Sequence, residues 1–83
     1  MKINVRYFAS VREALGTGSE TVDTAAADLG ALRDELIARG GPHASVLARG
    51  RAVRMALDQV MSSETAALRE GSEVAFFPPV TGG

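Results

Sequence analysis

Apolar and polar residues alternate at the start of the chain, with Ile3, Val5 and Tyr7 on one parity and Lys2, Asn4 and Arg6 on the other. A period of two predicts a strand over residues 2–8 with one face buried and one in water. Phe8 breaks the alternation, where the chain leaves the sheet. Val11 and Leu15, four apart and followed by Gly16, predict a short helical turn. After the Gly16-Thr17-Gly18 loop, residues 19–23 read as a more polar second strand, with Thr21 and Val22 as its β-branched members. Leu29, Leu32, Leu36 and Ile37 then recur at helical spacing behind Asp28, a plausible N-cap, and mark the main helix. Arg39 falls in its last turn and Gly40-Gly41-Pro42 ends it. Ala31 stands where a capping box would need Glu or Gln.

Residues 43–49, carrying Val46 and Leu47, suit another short helix. From Arg51 the period returns to two, with Val53, Met55 and Leu57 on one side and Arg54 and Ala56 on the other. Asp58-Gln59 sits where a tight turn belongs, and Val60-Met61 begins a short return strand. Residues 62–70 are irregular, with one helical turn expected at Ala66-Ala67-Leu68. Gly71-Ser72 turns the chain into a last strand, residues 73–77, that runs straight into Pro78-Pro79. Strands gathered around one main helix predict the α+β class, a roll with a mixed sheet packed on that helix. The expected division is a domain over residues 1–77 and an extended tail over residues 78–83.

Composition narrows the function. With 83 residues there is room for one modest core, and 46% hydrophobic with 23% charged residues marks a globular chain, not a disordered one. A domain of this size buries only about 60% of its unfolded surface. It has little space for a deep active site and is better suited to presenting a surface or a tail. A net charge of −1 without a basic run gives no footprint for nucleic acid. Lys2 is the only lysine, so branched lysine-linked polymers of the chain are not expected. The absence of cysteine excludes disulfides, thiolate metal sites and cysteine nucleophiles, and fits a cytoplasmic location. The alternating N-terminus is not a signal peptide, and no apolar run approaches the ~20 residues of a membrane span.

Phe76 shares its parity with Val74 and is the core candidate, which leaves Phe77 for a partner interface. Arg12, Glu13, Arg54 and Asp58 read as a solvated face, His43 as exposed loop, and Met55 and Met61 as core filler. One histidine without clustered acids makes a poor metal site, so no metal and no bound cofactor is expected.

The last six residues, Pro78-Pro79-Val80-Thr81-Gly82-Gly83, carry the chemistry. Neither proline donates a backbone N–H and both hold φ near −65°, so the sheet ladder stops and the tail projects. Six extended residues reach roughly 20 Å, enough to enter another protein's active site. Gly82 and Gly83 have no Cβ, so the backbone can thread a narrow channel with its carboxylate sterically open. A carboxylate is a poor electrophile, and acyl transfer from it needs activation, typically as an acyl-adenylate that accepts sulfur or a thiol.

The run from Gly71 to Gly83 resembles the C-terminus of the small subunit of molybdopterin synthase, and the opening strand with Phe8-Ala9-Ser10-Val11-Arg12-Glu13-Ala14-Leu15-Gly16 resembles that family's N-terminal pattern. Between residues 24 and 70 the likeness is one of element order. The resemblance implies a ubiquitin-like β-grasp fold with a flexible C-terminal Gly-Gly tail. It implies that a ubiquitin-activating-type enzyme uses ATP to adenylate Gly83, and that a persulfide donor converts it to a thiocarboxylate. The large synthase subunit would then receive the tail, in a heterotetramer, and sulfur would pass to the pterin precursor of the molybdenum cofactor. Gly83 would carry the sulfur, Gly82 the narrow approach, and Phe77, Pro78, Pro79, Val80 and Thr81 the partner contacts. The chain alone would be inert. Two other functions are consistent with the same features: a related β-grasp carrier or modifier serving thiamin, cysteine or tRNA thiolation, and a binding module whose tail is incidental.

Overall fold

The elements follow one another as β1 (Lys2–Tyr7), α1 (Ala9–Leu15), β2 (Ser19–Asp23), α2 (Leu29–Ile37), α3 (Gly41–Leu47), β3 (Arg54–Leu57), β4 (Val60–Met61) and β5 (Glu73–Phe77). They come from a computed structural model that describes residues 1–79, so Val80, Thr81, Gly82 and Gly83 lie outside the described residues. The strands form one mixed sheet in the order β2-β1-β5-β3-β4. β1 and β5 run parallel and the other pairs are antiparallel. The last strand in sequence therefore occupies the middle of the sheet.

The alternation in β1 has the expected cause. Ile3, Val5 and Tyr7 are buried with Val74 and Phe76 of β5, and all three helices contribute to that core. α2 brings Leu29, Leu32 and Leu36, α1 brings Val11, and α3 brings Val46 and Leu47. Asp28 caps α2 as anticipated, its Oδ1 accepting from the Ala31 N–H at 2.8 Å. A mixed sheet laid over one principal helix is the β-grasp roll.

Several details differ from the expectation. α2 ends at Ile37, so Arg39 lies beyond its last turn. Gly40, at φ 76°, instead serves as N-cap of α3, with Pro42 in that helix's first turn. Proline suits this position because its fixed φ is helical and the N–H it lacks would find no partner there. Gly40-Gly41-Pro42 thus opens a helix, and His43 lies within α3, half-buried, not in an exposed loop. β3 begins at Arg54 instead of Arg51. Ala66-Ala67-Leu68 forms no helical turn. It runs beside the start of α2, bridging Asp28 through Ala67, with Leu29 N–H donating to the Ala66 carbonyl and Leu68 N–H to that of Ala27. Met55 is buried, whereas Met61 is 62% exposed and fills no core.

One polar network was not anticipated. Arg33, on α2, is only 4% exposed and donates from Nε to the Leu47 carbonyl (2.7 Å) and from Nη2 to that of Ala48 (3.1 Å). Its Nη1 lies 3.6 Å from Glu64. Arg49 clamps the same Glu64 through Nε (3.0 Å) and Nη2 (2.6 Å), and pairs with Asp34 through Nη1. Burial pulls the Arg33 guanidinium below its ordinary pKa, with Glu64 opposing that shift. These bonds pin the end of α3 and residues 62–66 to α2.

Candidate functional site at the root of the tail

β5 is paired on both edges through Phe76, and its last residue, Phe77, pairs with Arg54 of β3 alone. Arg6 and Tyr7 of β1 lie opposite Ala75 and Phe76, while Arg54, Met55 and Ala56 of β3 lie opposite Phe77, Phe76 and Ala75. Phe8 N–H adds a 3.1 Å hydrogen bond to the Phe76 carbonyl. Pro78 and Pro79 then offer no N–H to either neighbour, so the ladder stops there for a chemical reason. The tail consequently leaves from the middle strand of the sheet, which has a neighbour on each side.

Phe76 and Phe77 separate as their parity requires. Phe76 is fully buried and stacks on Tyr7, with ring centroids 6.1 Å apart. Phe77 is half-buried on the face away from the helices. Register places Ala75 and Ala56 on that open face, and Met61, opposite Ala56, with them. Phe8 joins from the other side: it is 44% exposed, and the Arg6 guanidinium lies 5.7 Å over its ring. The result is an apolar stripe from Phe8 through Phe77 to Met61, crossing the sheet at the point where the tail departs. Arg54 lies beside it, and Arg6 and Glu73 form a 3.8 Å ion pair on the same face. Apolar side chains gathered on an open sheet face make this the candidate docking surface.

Of the expected site residues, Phe77, Pro78 and Pro79 come together here, and Val80, Thr81, Gly82 and Gly83 fall outside the described residues. Pro78 and Pro79 form one wall of a groove of about 470 Å³ whose other lining residues include Ser10, Val46, Arg51 and Val53. Among the described residues that lining includes no carboxylate, histidine or thiol for acid–base or nucleophilic work. Phe8 and Met61 were not anticipated as site residues. Met61 could have been: a two-residue turn at Asp58-Gln59 places it opposite Ala56, on the parity already assigned away from Met55.

A second polar cluster sits on the helix side of β1. Tyr7 Oη donates to Glu20 Oε2 at 2.8 Å, Arg39 Nη1 donates to Glu20 Oε1 at 2.7 Å, and His43 Nε2 lies 3.4 Å from the same carboxylate. Burial alone would raise the Glu20 carboxyl, but the hydrogen bonds from Arg39, Tyr7 and His43 and the Arg39 charge outweigh it and hold the pKa below 4.5. Burial first, and Glu20 second, push the Tyr7 phenol up. This cluster ties β1 and β2 to α3 and faces away from the stripe. Among the described residues no group of three or more His, Cys, Asp or Glu could hold a metal, and no helix is long and apolar enough to cross a membrane.

The ThiS family model matches residues 5–83. The chain belongs to the ThiS family. It is 41% identical over 81 residues to the molybdopterin synthase sulfur carrier subunit of Escherichia coli, covering 98% of this chain and 99% of that one. Among solved structures it resembles a putative molybdopterin converting factor, subunit 1, from Pyrococcus furiosus, at 26% identity and a TM-score of 0.80 over 96% of this chain and 99% of that one. It shares its fold with a chain of the complex of subunits 1 and 2 of molybdopterin-converting factor from Helicobacter pylori, at 24% identity, a TM-score of 0.70 and full coverage of both chains. The family match therefore includes both the β-grasp body and the Gly-Gly tail.

Proposed function

We propose that this ThiS-family chain is the sulfur carrier subunit of a molybdopterin synthase. The observation that carries the reading is the tail's anchorage: a central strand, bonded on both edges, passes directly into Pro78-Pro79 beside an exposed aromatic stripe. A firm root and an adjacent docking surface fix where a partner finds the last residues, which favours delivery of the tail over incidental extension. The Escherichia coli relative bears the carrier name, and the Helicobacter pylori neighbour was solved as a two-subunit complex, which supports the large synthase subunit as the partner for the stripe.

The chemistry then belongs to Gly83. An ATP-dependent, ubiquitin-activating-type enzyme adenylates its carboxylate, releasing pyrophosphate. The terminal sulfur of a persulfide displaces AMP, and a thiol cleaves the resulting acyl disulfide, leaving the Gly83 thiocarboxylate and a disulfide. Gly82 keeps the approach narrow, while Phe77, Pro78, Pro79, Val80 and Thr81 contact the partner. The thiocarboxylate gives its sulfur to the pterin precursor and returns to carboxylate on hydrolysis. The chain holds no cofactor in this scheme, and acid–base groups come from the large subunit.

Intact mass spectrometry of the chain isolated from its own cells tests this. The expected result is exchange of one oxygen for sulfur, localised to Gly83 by fragmentation and lost when Gly82-Gly83 is deleted. An unmodified mass after incubation with activating enzyme, ATP and a persulfide donor would reject it.

A further inference from the structure

A second groove, of about 490 Å³, opens between Arg33 and Arg54 and is lined also by Met55, Met61, Ser62 and Glu64. Its charge is uneven. Arg54 is exposed, stands opposite Phe77 on the open face, and makes no hydrogen bond or ion pair among the described residues. Arg33 is buried, with Nε and Nη2 engaged by the Leu47 and Ala48 carbonyls, while Nη1 makes no hydrogen bond among the described residues. Glu64, the groove's carboxylate, is already clamped by Arg49, as is Asp34 behind it. Three guanidiniums thus meet two carboxylates, leaving one positive charge over. Met61 and Arg54 belong both to this groove and to the open face, so whatever covers the stripe also reaches the groove's mouth.

We propose that the groove between Arg33 and Arg54 receives an acidic side chain, Asp or Glu, from the protein that covers the Phe8–Phe77–Met61 stripe. The inference rests on the docking reading above and deepens it. A carboxylate there meets Arg54 at the rim and the Nη1 corner of Arg33 deeper in. Arg54 lies opposite Phe77, at the root of the tail, so this contact sets the angle at which the tail enters the partner. Complementary charge at such a position governs encounter rate and partner choice. The apolar stripe supplies adhesion, and Arg54 tells a matching partner from other apolar surfaces.

The test is calorimetric titration of the chain into the large synthase subunit of the same organism, at low and high salt. Arg54 is exposed, so its variants fold. Arg54→Glu should weaken binding by about tenfold or more and Arg54→Gln by less, whereas Arg54→Lys stays close to the parent, because charge is what the site reads. The loss for Arg54→Glu should shrink as salt rises, and reversing one acidic residue of the partner to Lys should restore it. Phe77→Ala reports the stripe separately. If Phe77→Ala weakens binding and Arg54→Glu stays within twofold of the parent at low salt, the groove proposal is overturned and the docking reading stands. Equal losses for Gln and Glu, independent of salt, would overturn it as well, since shape and not charge would then be read. Absence of binding by the parent chain would reject both.

Discussion

Gly30 offers a prediction in which two physical arguments disagree in sign. It is the second residue of α2, and replacing a helical glycine by alanine ordinarily stabilises by up to about 1 kcal/mol through reduced unfolded-state entropy. Here a Cβ would sit 2.9 Å from Glu64 Oε1, 3.1 Å from Glu64 Cβ and 3.3 Å from the Glu64 carbonyl oxygen. The flexible end of Glu64 could move aside in isolation, but Arg49 holds it at 2.6 and 3.0 Å. The backbone has little freedom to retreat, because Gly30 N–H donates to the Glu64 carbonyl (2.9 Å) and Leu29 N–H to that of Ala66 (3.1 Å). Overpacking costs about 1–3 kcal/mol, and the displaced Glu64 also loses part of its clamp. The collision therefore outweighs the propensity gain. Gly30→Ala should destabilise the fold by about 1–2 kcal/mol, lowering the midpoint of thermal unfolding by roughly 5–15 °C for a chain of this length. Urea denaturation with an unchanged m-value is the assay. In a Glu64→Ala background the cost of Gly30→Ala should fall by at least about 0.5 kcal/mol, since the anchored side chain is gone. A Gly30→Ala protein as stable as the parent, or an equal cost in both backgrounds, would refute the argument.

Two further perturbations probe the polar clusters. Arg33→Met removes the donors to the Leu47 and Ala48 carbonyls but leaves Glu64 its Arg49 partner, so the cost is that of two orphaned acceptors, about 2–4 kcal/mol, read by chemical denaturation; a loss under 1 kcal/mol would show that water replaces the guanidinium. Glu20 has a depressed carboxyl pKa in the folded chain, so its stabilisation is complete above the unfolded value near 4.5 and is lost as pH falls through the lower, folded value; Glu20→Gln should flatten the acid limb of the stability–pH curve below about pH 5, and an unchanged limb would contradict the assignment.

The elements that could be read in the sequence share a cause. β1 alternates because one face meets the helices and the other meets water, so its parity carried the burial of Ile3, Val5 and Tyr7 directly. The same parity separated Phe76 from Phe77. Residue type alone is a poor guide to burial in this chain. Met61 is apolar and reads as core filler, although the Asp58-Gln59 turn fixes it opposite Ala56 on the open face. Arg33 carries a charge, yet it follows Leu29 by four and precedes Leu36 by three, on the buried stripe of α2. Pro42 reads as a helix stop, yet with Gly40 as N-cap it opens α3, so the short helix expected over residues 43–49 starts at Gly41 and carries a half-buried His43. The path of residues 62–70 had no local signal at all: it is set by bonds to the start of α2 and by Glu64 between two arginines, which are tertiary facts.

The position of β5 links the fold to the proposed delivery of the tail. A tail leaving an edge strand would be rooted by one ladder, and fraying of that ladder would let the last residues wander relative to the docking face. In this chain the ladders from β1 and β3 both reach Phe76, where Phe8 N–H adds a further bond, and β3 alone continues to Phe77. Local opening at the root must break bonds on two sides at once, which places it among the least easily opened parts of the sheet. The same strand contributes Ala75 and Phe77 to the stripe, so part of the candidate docking face and the tail root share one piece of backbone. A partner that seats Phe77 thereby fixes where Pro78 points, and only the few residues after Pro79 remain to be guided into an active site. Positioning of that kind lowers the entropy cost of bringing Gly83 to a reacting group. Under the proposed function, the contribution of so small a domain to rate is geometric, and it resides in the sheet.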